Sequence, residues 1–248
     1  MPIKSDKLYS LASWRDLKEP TDYIYSKYIK PVPDRRMYLY GVSLGGAIQT
    51  HYILNDNENT PYSAMVAYGN PFAPEDTITK FKTLMFGLYD IGLGVKLFRM
   101  FRKVLPELSK YSSSEKMEKY NKALEINSLR LSALDDYIIA PMFGFKDAMD
   151  YYRNSRISGS LHKLKRCPTM FLASWDDILM NKRYPVEEIR NNPNTLLALT
   201  QQGGHCCHLT HSKRKITGFR LLDWISWFFP SSSWFADPVM DFIETVER

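Results

Sequence analysis

The sequence predicts an α/β fold in which a mostly parallel sheet is interrupted by a long helical insertion. Three observations carry this expectation. Short apolar, strand-like runs alternate with helix-like segments near both ends of the chain. No strand-like run occurs between about residues 72 and 165. The first strand-like run leads directly into a glycine-flanked serine that opens a helix, Gly41-Val42-Ser43-Leu44-Gly45.

The elements follow in chain order. Trp14, Leu17, Ile24 and Tyr28 are spaced as on one helical face, and Pro31 and Pro33 end that segment. Met37 to Gly41 reads as a short buried strand. A helix is expected from about Leu44 to Leu54, closed by the polar run Asn55 to Thr60. Met65 to Gly69 is the next strand. From Phe72 to Lys165 the segment reads as helices rich in Lys and Arg, with an amphipathic stretch from Phe81 to Val104 and a capping signal at Ser112 to Glu115. Strands return at Thr169 to Ala173 and Thr195 to Leu199, separated by a helix bearing Val186 and Ile189. A last amphipathic helix is expected around Val239 to Val246. The expected domain organisation is therefore a core in two parts, 1–71 and 166–248, with 72–165 inserted as a helical cap.

Composition excludes several classes. The chain has 248 residues, 44% hydrophobic and 24% charged, which is the balance of a folded globular protein and not of a disordered or coiled-coil chain. The net charge is +6, but no clustered basic motif accompanies it, so no nucleic-acid partner is expected. Three cysteines, two of them adjacent, make a disulfide framework an unsuitable reading and a reducing compartment the default. The N-terminus has no apolar run of signal-peptide length, and no run reaches the roughly 18–20 apolar residues of a membrane span. The stretch Leu221 to Phe235 is interrupted by Asp223, Pro230 and a run of three serines, so it could lie against a membrane interface but could not cross one. The expected location is the cytoplasm or a membrane periphery. Oligomeric state stays open.

Chemistry enters at the G-x-S-x-G turn. A serine between strand and helix is forced into a strained backbone conformation, and small residues two before and two after it, Gly41 and Gly45, avoid clashes there. Ser43 then stands clear of the sheet at the positive end of a helix. The backbone N–H of Leu44 can face a developing oxyanion.

A serine hydroxyl needs a base. Five histidines are available: His51, His162, His205, His208 and His211. In α/β-hydrolases the order along the chain is serine, acid, histidine. Asp176 and Asp177 follow the strand ending near Ser174, and His205 follows the strand ending near Thr200, in Gly203-Gly204-His205. Residue type, order and strand ends agree. From the residues alone either aspartate could be the acid. The run His205-Cys206-Cys207-His208 with His211 resembles a metal cluster, but no second ligand pair lies further away, so no metal and no cofactor are expected. His208 and His211 read as loop residues, His51 as an exposed or partly buried helix residue and His162 as part of a basic loop.

These residues extend to a broader pattern. Asp16-Leu17 precedes a helix, Tyr38 to Gly46 carries the serine turn, and Gly69-Asn70-Pro71-Phe72 follows the next strand. Asp135-Asp136, Ala140-Pro141, Gly144-Phe145, Asp147-Ala148 and Asp150-Tyr151-Tyr152 form a block in the helical segment. Pro168-Thr169 leads to Asp176-Asp177, followed by Asn192-Pro193-Asn194 and Gly203-Gly204-His205. From about Asp16 to Glu244 the chain resembles the AB-hydrolase-domain (abhydrolase) lipases and esterases, the group that includes plant embryogenesis-associated proteins and bacterial YheT-type hydrolases. The resemblance implies an α/β-hydrolase fold and hydrolysis of short- to medium-chain acyl esters, monoacylglycerols or related lipids. It maps the nucleophile to Ser43, the base to His205 and the acid to Asp177, with Asp176 as the fallback. It makes a small-molecule or lipid ester the expected partner.

Only 42 residues precede Ser43, fewer than the front strands of such a fold occupy. The sequence is therefore expected to be N-terminally shortened and weakly active or inactive, with its strands paired in the order 37–41, 65–69, 169–173, 195–199 and the first of them at an edge. Two other functional classes remain: a non-catalytic protein or inactive fragment on the same scaffold, and an alcohol O-acyltransferase using the same three residues.

Overall fold

The computed structural model describes residues 3–11, 13–126, 129–180, 182–210 and 232–248. In chain order the elements are α1 (Arg15–Ile24), β1 (Tyr38–Val42), α2 (Leu44–Asp56), β2 (Ala64–Tyr68), α3 (Pro74–Thr83), α4 (Leu88–Leu108), α5 (Ser114–Ile126), α6 (Leu131–Leu134), α7 (Ala140–Phe143), α8 (Ala148–Asn154), β3 (Thr169–Ser174), α9 (Val186–Arg190), β4 (Thr195–Thr200) and α10 (Ala236–Glu247). A two-residue antiparallel pair joins Leu209–Thr210 to Ser232–Ser233. The chain divides into two compact units, one drawn from 14–70 and 160–248 and the other from 1–13 and 71–159.

The first unit holds a four-stranded parallel sheet in the order β1-β2-β3-β4, the order expected from sequence. Tyr40 pairs with Val66, Val66 with Met170 and Met170 with Leu196. The two inner strands are buried along their whole length. This is why Ala64 to Tyr68 and Thr169 to Ser174 read as nearly continuous apolar runs and not as alternating ones. The outer strands are only partly covered, and Tyr40, Val42 and Leu196 remain exposed. On one face α10 packs Val239 against Val66 and Met170, and Phe235 stacks parallel to Tyr40 at 6.1 Å. Helix α2 is buried on most of its surface.

Helix α1 departs from the expected face. Ile24 and Tyr28 are exposed, whereas Thr21 is buried and its hydroxyl meets the Tyr62 hydroxyl at 2.7 Å. A polar residue turned inward is invisible to apolar periodicity. The helix also continues past Ile24 as a wider turn to Ile29 before the prolines stop it.

The second unit is helical. Phe98, Phe101, Leu108, Tyr120, Leu134, Ile138 and Met142 form its core, and Ile3 and Leu8 pack against it. The first residues are tied in by a bond from the Leu11 amide to the Tyr151 hydroxyl at 2.8 Å and by a Lys116–Asp6 ion pair. The acidic and tyrosine-rich block has a structural use here. Tyr152 donates to buried Asp135, the Ala148 amide donates to Asp136, and Asp147 caps α8 by accepting from the Asp150 amide. Burial pushes Asp135 up to about 7.

The amphipathic stretch from Phe81 to Val104 is divided between two helices. Leu84 to Gly87 form a tight turn in which Met85, Phe86 and Gly87 all take positive φ angles, separating α3 from α4. The capping signal before α5 is realised by Ser113, whose hydroxyl accepts from the Lys116 amide. The aromatic stretch from Leu221 falls, up to residue 231, outside the described residues. No described helix is long and apolar enough to cross a membrane.

Candidate active site

Ser43 sits between β1 and α2 with φ 53° and ψ −116°. That conformation is strained for a residue with a side chain and persists only where its surroundings enforce it. The enforcement is visible: the Ser43 amide donates to the Tyr68 carbonyl at 2.7 Å, and its own carbonyl accepts from Ala47 in the first turn of α2. The strand ladder and the helix thus hold the residue from both sides. Leu44 is the first residue of α2, where amide N–H groups have no partner within the helix.

The two flanking glycines differ. A Cβ on Gly41 would come within 2.5 Å of the Gln49 side chain and 2.7 Å of the Gly45 carbonyl. Gln49 is buried and donates from Nε2 to the Val66 carbonyl at 2.6 Å, so it has little room to move. A Cβ on Gly45 would meet no described atom within 4 Å. The steric requirement expected at Gly45 is therefore absent among the described residues, because that position faces open space.

The loop after β4 brings the histidine back to the serine. His205 Nε2 lies 2.8 Å from Ser43 Oγ, and His205 Nδ1 lies 2.8 Å from Asp177 Oδ2. Asp177 is buried and its other oxygen accepts from the Leu179 amide at 2.8 Å. Its neighbour Asp176 is exposed and turns the opposite way, accepting from the Gly204 amide at 2.8 Å. That bond holds the Asp176 carboxyl below its usual range. The structure thus separates the two aspartates left open by the residues alone: Asp177 faces His205 and Asp176 clamps its loop.

Burial opposes a charge on His205, but the Asp177 carboxylate and the Cys206 sulfur beside the ring outweigh it and raise the imidazole to about 9. The approach of this loop to β2 explains Gly69, which has φ +62°. A side chain there would collide with Cys206 Sγ at 2.3 Å and crowd the His205 ring at 3.2 Å.

His208, read from sequence as a loop residue, is instead a buried anchor. Its ring is bonded to the Tyr68 hydroxyl on β2 and, at 2.6 Å, to Thr200 Oγ1 on β4. Thr200 donates to the Gln202 carbonyl, so it accepts from His208 Nε2–H and leaves Nδ1 to accept from Tyr68 O–H. Burial lowers the His208 pKa, in keeping with that neutral form. The ring fills the space against Gly203, where a Cβ would lie 2.4 Å from it. Ser174 completes the clamp by donating to the Gly204 carbonyl at 2.7 Å. The loop carrying His205 is thus pinned to β2, β3 and β4. The signal that could have found His208 is its spacing, three residues after His205 in the same loop.

The other candidates fall elsewhere. His51 is buried in α2 and not partly exposed as expected, because that helix is enclosed nearly all round. His162 is exposed in a short turn. His211 lies outside the described residues. Among the described residues no group of three or more His, Cys, Asp or Glu side chains is arranged to hold a metal ion.

No family model matches the sequence. The chain is similar to an abhydrolase domain-containing protein of Dictyostelium discoideum, 31% identical over 207 residues, covering 82% of this chain and 50% of that protein. It is 29% identical over 231 residues to a monoacylglycerol lipase of Saccharomyces cerevisiae, covering 90% of this chain and 45% of the lipase. It is 28% identical over 254 residues to the embryogenesis-associated protein EMB8 of Picea glauca, covering 100% and 50%. The chain spans about half the length of the curated relatives it matches. Among solved structures it is similar to an esterase of Pyrococcus furiosus, with a TM-score of 0.48 at 14% identity over 96% of this chain and 65% of that one. The sequence similarity, the parallel sheet and the strand–serine–helix turn place this chain in the abhydrolase-domain family of α/β-hydrolases.

Proposed function

We propose that the chain hydrolyses carboxylic esters through an acyl-enzyme on Ser43. The observation that carries this reading is the continuous relay Ser43–His205–Asp177, closed by two contacts of 2.8 Å. Ser43 Oγ attacks the ester carbonyl carbon while His205 Nε2 takes its proton. Asp177 accepts from Nδ1–H, holds the ring in register and stabilises the imidazolium. The tetrahedral oxyanion faces the Leu44 amide at the start of α2. Collapse breaks the bond to the alcohol, which leaves with the proton from Nε2. Water, deprotonated by the same nitrogen, then releases the carboxylic acid and restores Ser43.

For the substrate, we favour short- to medium-chain acyl esters or monoacylglycerols. The monoacylglycerol lipase among the relatives supports that class. Residues 72–165 are read as the inserted cap of such enzymes.

A fluorophosphonate probe tests the reading. Labelling of the folded chain that vanishes in Ser43→Ala, together with turnover of p-nitrophenyl butyrate, is the expected result. A well-folded chain that takes no label and turns over no ester would reject it.

A further inference from the structure

The turn between α3 and α4 exposes apolar side chains in an unusual way. Phe86 is 97% exposed, Met85 57% and Leu88 58%. Met85 and Phe86 adopt left-handed backbone angles, φ 49° and 57°, which bulky residues rarely take. Gly87 follows at φ +82°, and a Cβ there would press within 2.9 Å of the Arg130 guanidinium. The backbone is thus strained in a way that drives two large apolar side chains into water. Such strain points to a use outside the unit's own packing.

The adjoining helix supplies the second observation. On α4, positions 88, 92, 96, 99 and 103 share one face. They are Leu88, Gly92, Lys96, Arg99 and Lys103, and all are exposed. Phe98 and Phe101 point the other way, into the core. The carboxylates of α4 are committed elsewhere: Asp90 is buried against Arg130 and Ser132, and Glu107 pairs with Lys110. Lys82 adds an exposed cation on the far side of the turn. An apolar tip therefore continues into a cationic stripe about 22 Å long from Leu88 to Lys103.

We propose that this surface docks on an anionic lipid membrane, with Phe86, Met85 and Leu88 entering the headgroup–acyl boundary and Lys82, Lys96, Arg99 and Lys103 facing the anionic headgroups. Apolar insertion and cation–headgroup attraction are the two contributions that hold a peripheral protein at a bilayer. Charge complementarity selects this occupant. A second copy of the chain would set like-charged stripes against each other. The proposal goes beyond ester hydrolysis and concerns the helical unit alone.

The test is co-sedimentation of the full chain with vesicles of phosphatidylcholine alone and of phosphatidylcholine with phosphatidylserine. The unaltered chain is expected to pellet with the mixed vesicles, less with neutral ones, and less as salt rises. Met85→Ser/Phe86→Ser should weaken partitioning by roughly tenfold or more. The triple variant K96E/R99E/K103E should lose the preference for the anionic vesicles. A Phe86→Trp variant should show a blue-shifted emission on mixing with those vesicles, which reads insertion without removing the apolar tip. Ser43→Ala should bind as the unaltered chain does, so failure of the proposed chemistry would leave this result standing. Equal pelleting of all variants, or an emission from the Phe86→Trp variant that vesicles do not move, would overturn the proposal. So would self-association in light scattering that the serine variant abolishes, which would assign the surface to a second copy, or capture by an acidic protein with no vesicle binding.

Discussion

The two ends of the proposed proton relay are held by different means. Ser43 is placed by covalent geometry: a strand, a one-residue turn and a helix fix its direction, and the surrounding bonds are backbone bonds. His205 sits in an irregular loop whose direction is set by side chains from three strands: Tyr68, Ser174 and Thr200, with Asp176 beyond β3. The lesson is that one half of a site can be local and the other wholly tertiary, though both meet with equal closeness. The local half is announced by a motif. The tertiary half depends on groups far apart in the chain that must all be in place together.

The comparison can be broken most severely at the relay itself. Ser43→Ala should lower kcat for an ester substrate by roughly 10⁴–10⁶-fold, with the fold unchanged by circular dichroism. Next comes the contrast between adjacent acids. Asp177→Asn should cost about 10⁴-fold in kcat, because the imidazole loses its orienting carboxylate. Asp176→Asn should cost less than about tenfold, because it weakens one hydrogen bond to the loop. Equal losses in the two variants would show that the geometry assigns them wrongly.

The tertiary half is probed by His208→Phe. It keeps an aromatic ring but leaves the Tyr68 and Thr200 hydroxyls without their ring partners. The expected outcome is a loss of about 2–4 kcal/mol in stability, read by urea unfolding. A fall of roughly 10–100-fold in kcat with little change in KM should accompany it, as the His205 ring loses register. An unchanged kcat in a destabilised chain would make His208 merely structural. Gly69→Ala should act on the same loop from the other side, by collision with Cys206 and His205.

The smallest expected effect is a shift in pH dependence. In the proposed mechanism the base form of His205 is the reactive one, and its pKa is raised to about 9. The rate in the free site should therefore climb with pH until about that value. Cys206→Ala should move the midpoint downward, since the Cys206 sulfur supports the charged ring. Stability runs the opposite way. A histidine whose folded pKa exceeds its unfolded value of about 6.5 stabilises the fold fully below that unfolded value. The contribution is lost as pH rises through about 9. Chemical unfolding across this range, compared with His205→Gln, isolates it.

Much of the fold was legible because its signals are local. The inner strands are apolar runs bounded by polar turns, and the serine turn names its own strand and helix. The order serine, aspartate pair, histidine followed from chain order and strand ends. What was not legible rests on contacts between distant residues. Periodicity placed Ile24 and Tyr28 inward, while the partner of α1 is Thr21 through Tyr62. Nor did it mark the break at 84–87, where the chain turns sharply at Met85, Phe86 and Gly87.

By itself the sequence determined the parallel α/β pattern, the strained serine and the side-chain types that can relay a proton. The tertiary structure alone decided that Asp177 and not Asp176 meets His205, that His208 anchors the loop, and that residues 1–13 join the helical unit. Two identical carboxyl groups one residue apart carry the same information in a string of letters. Only the pleat and the turn after β3 send one toward the imidazole and the other toward the loop backbone.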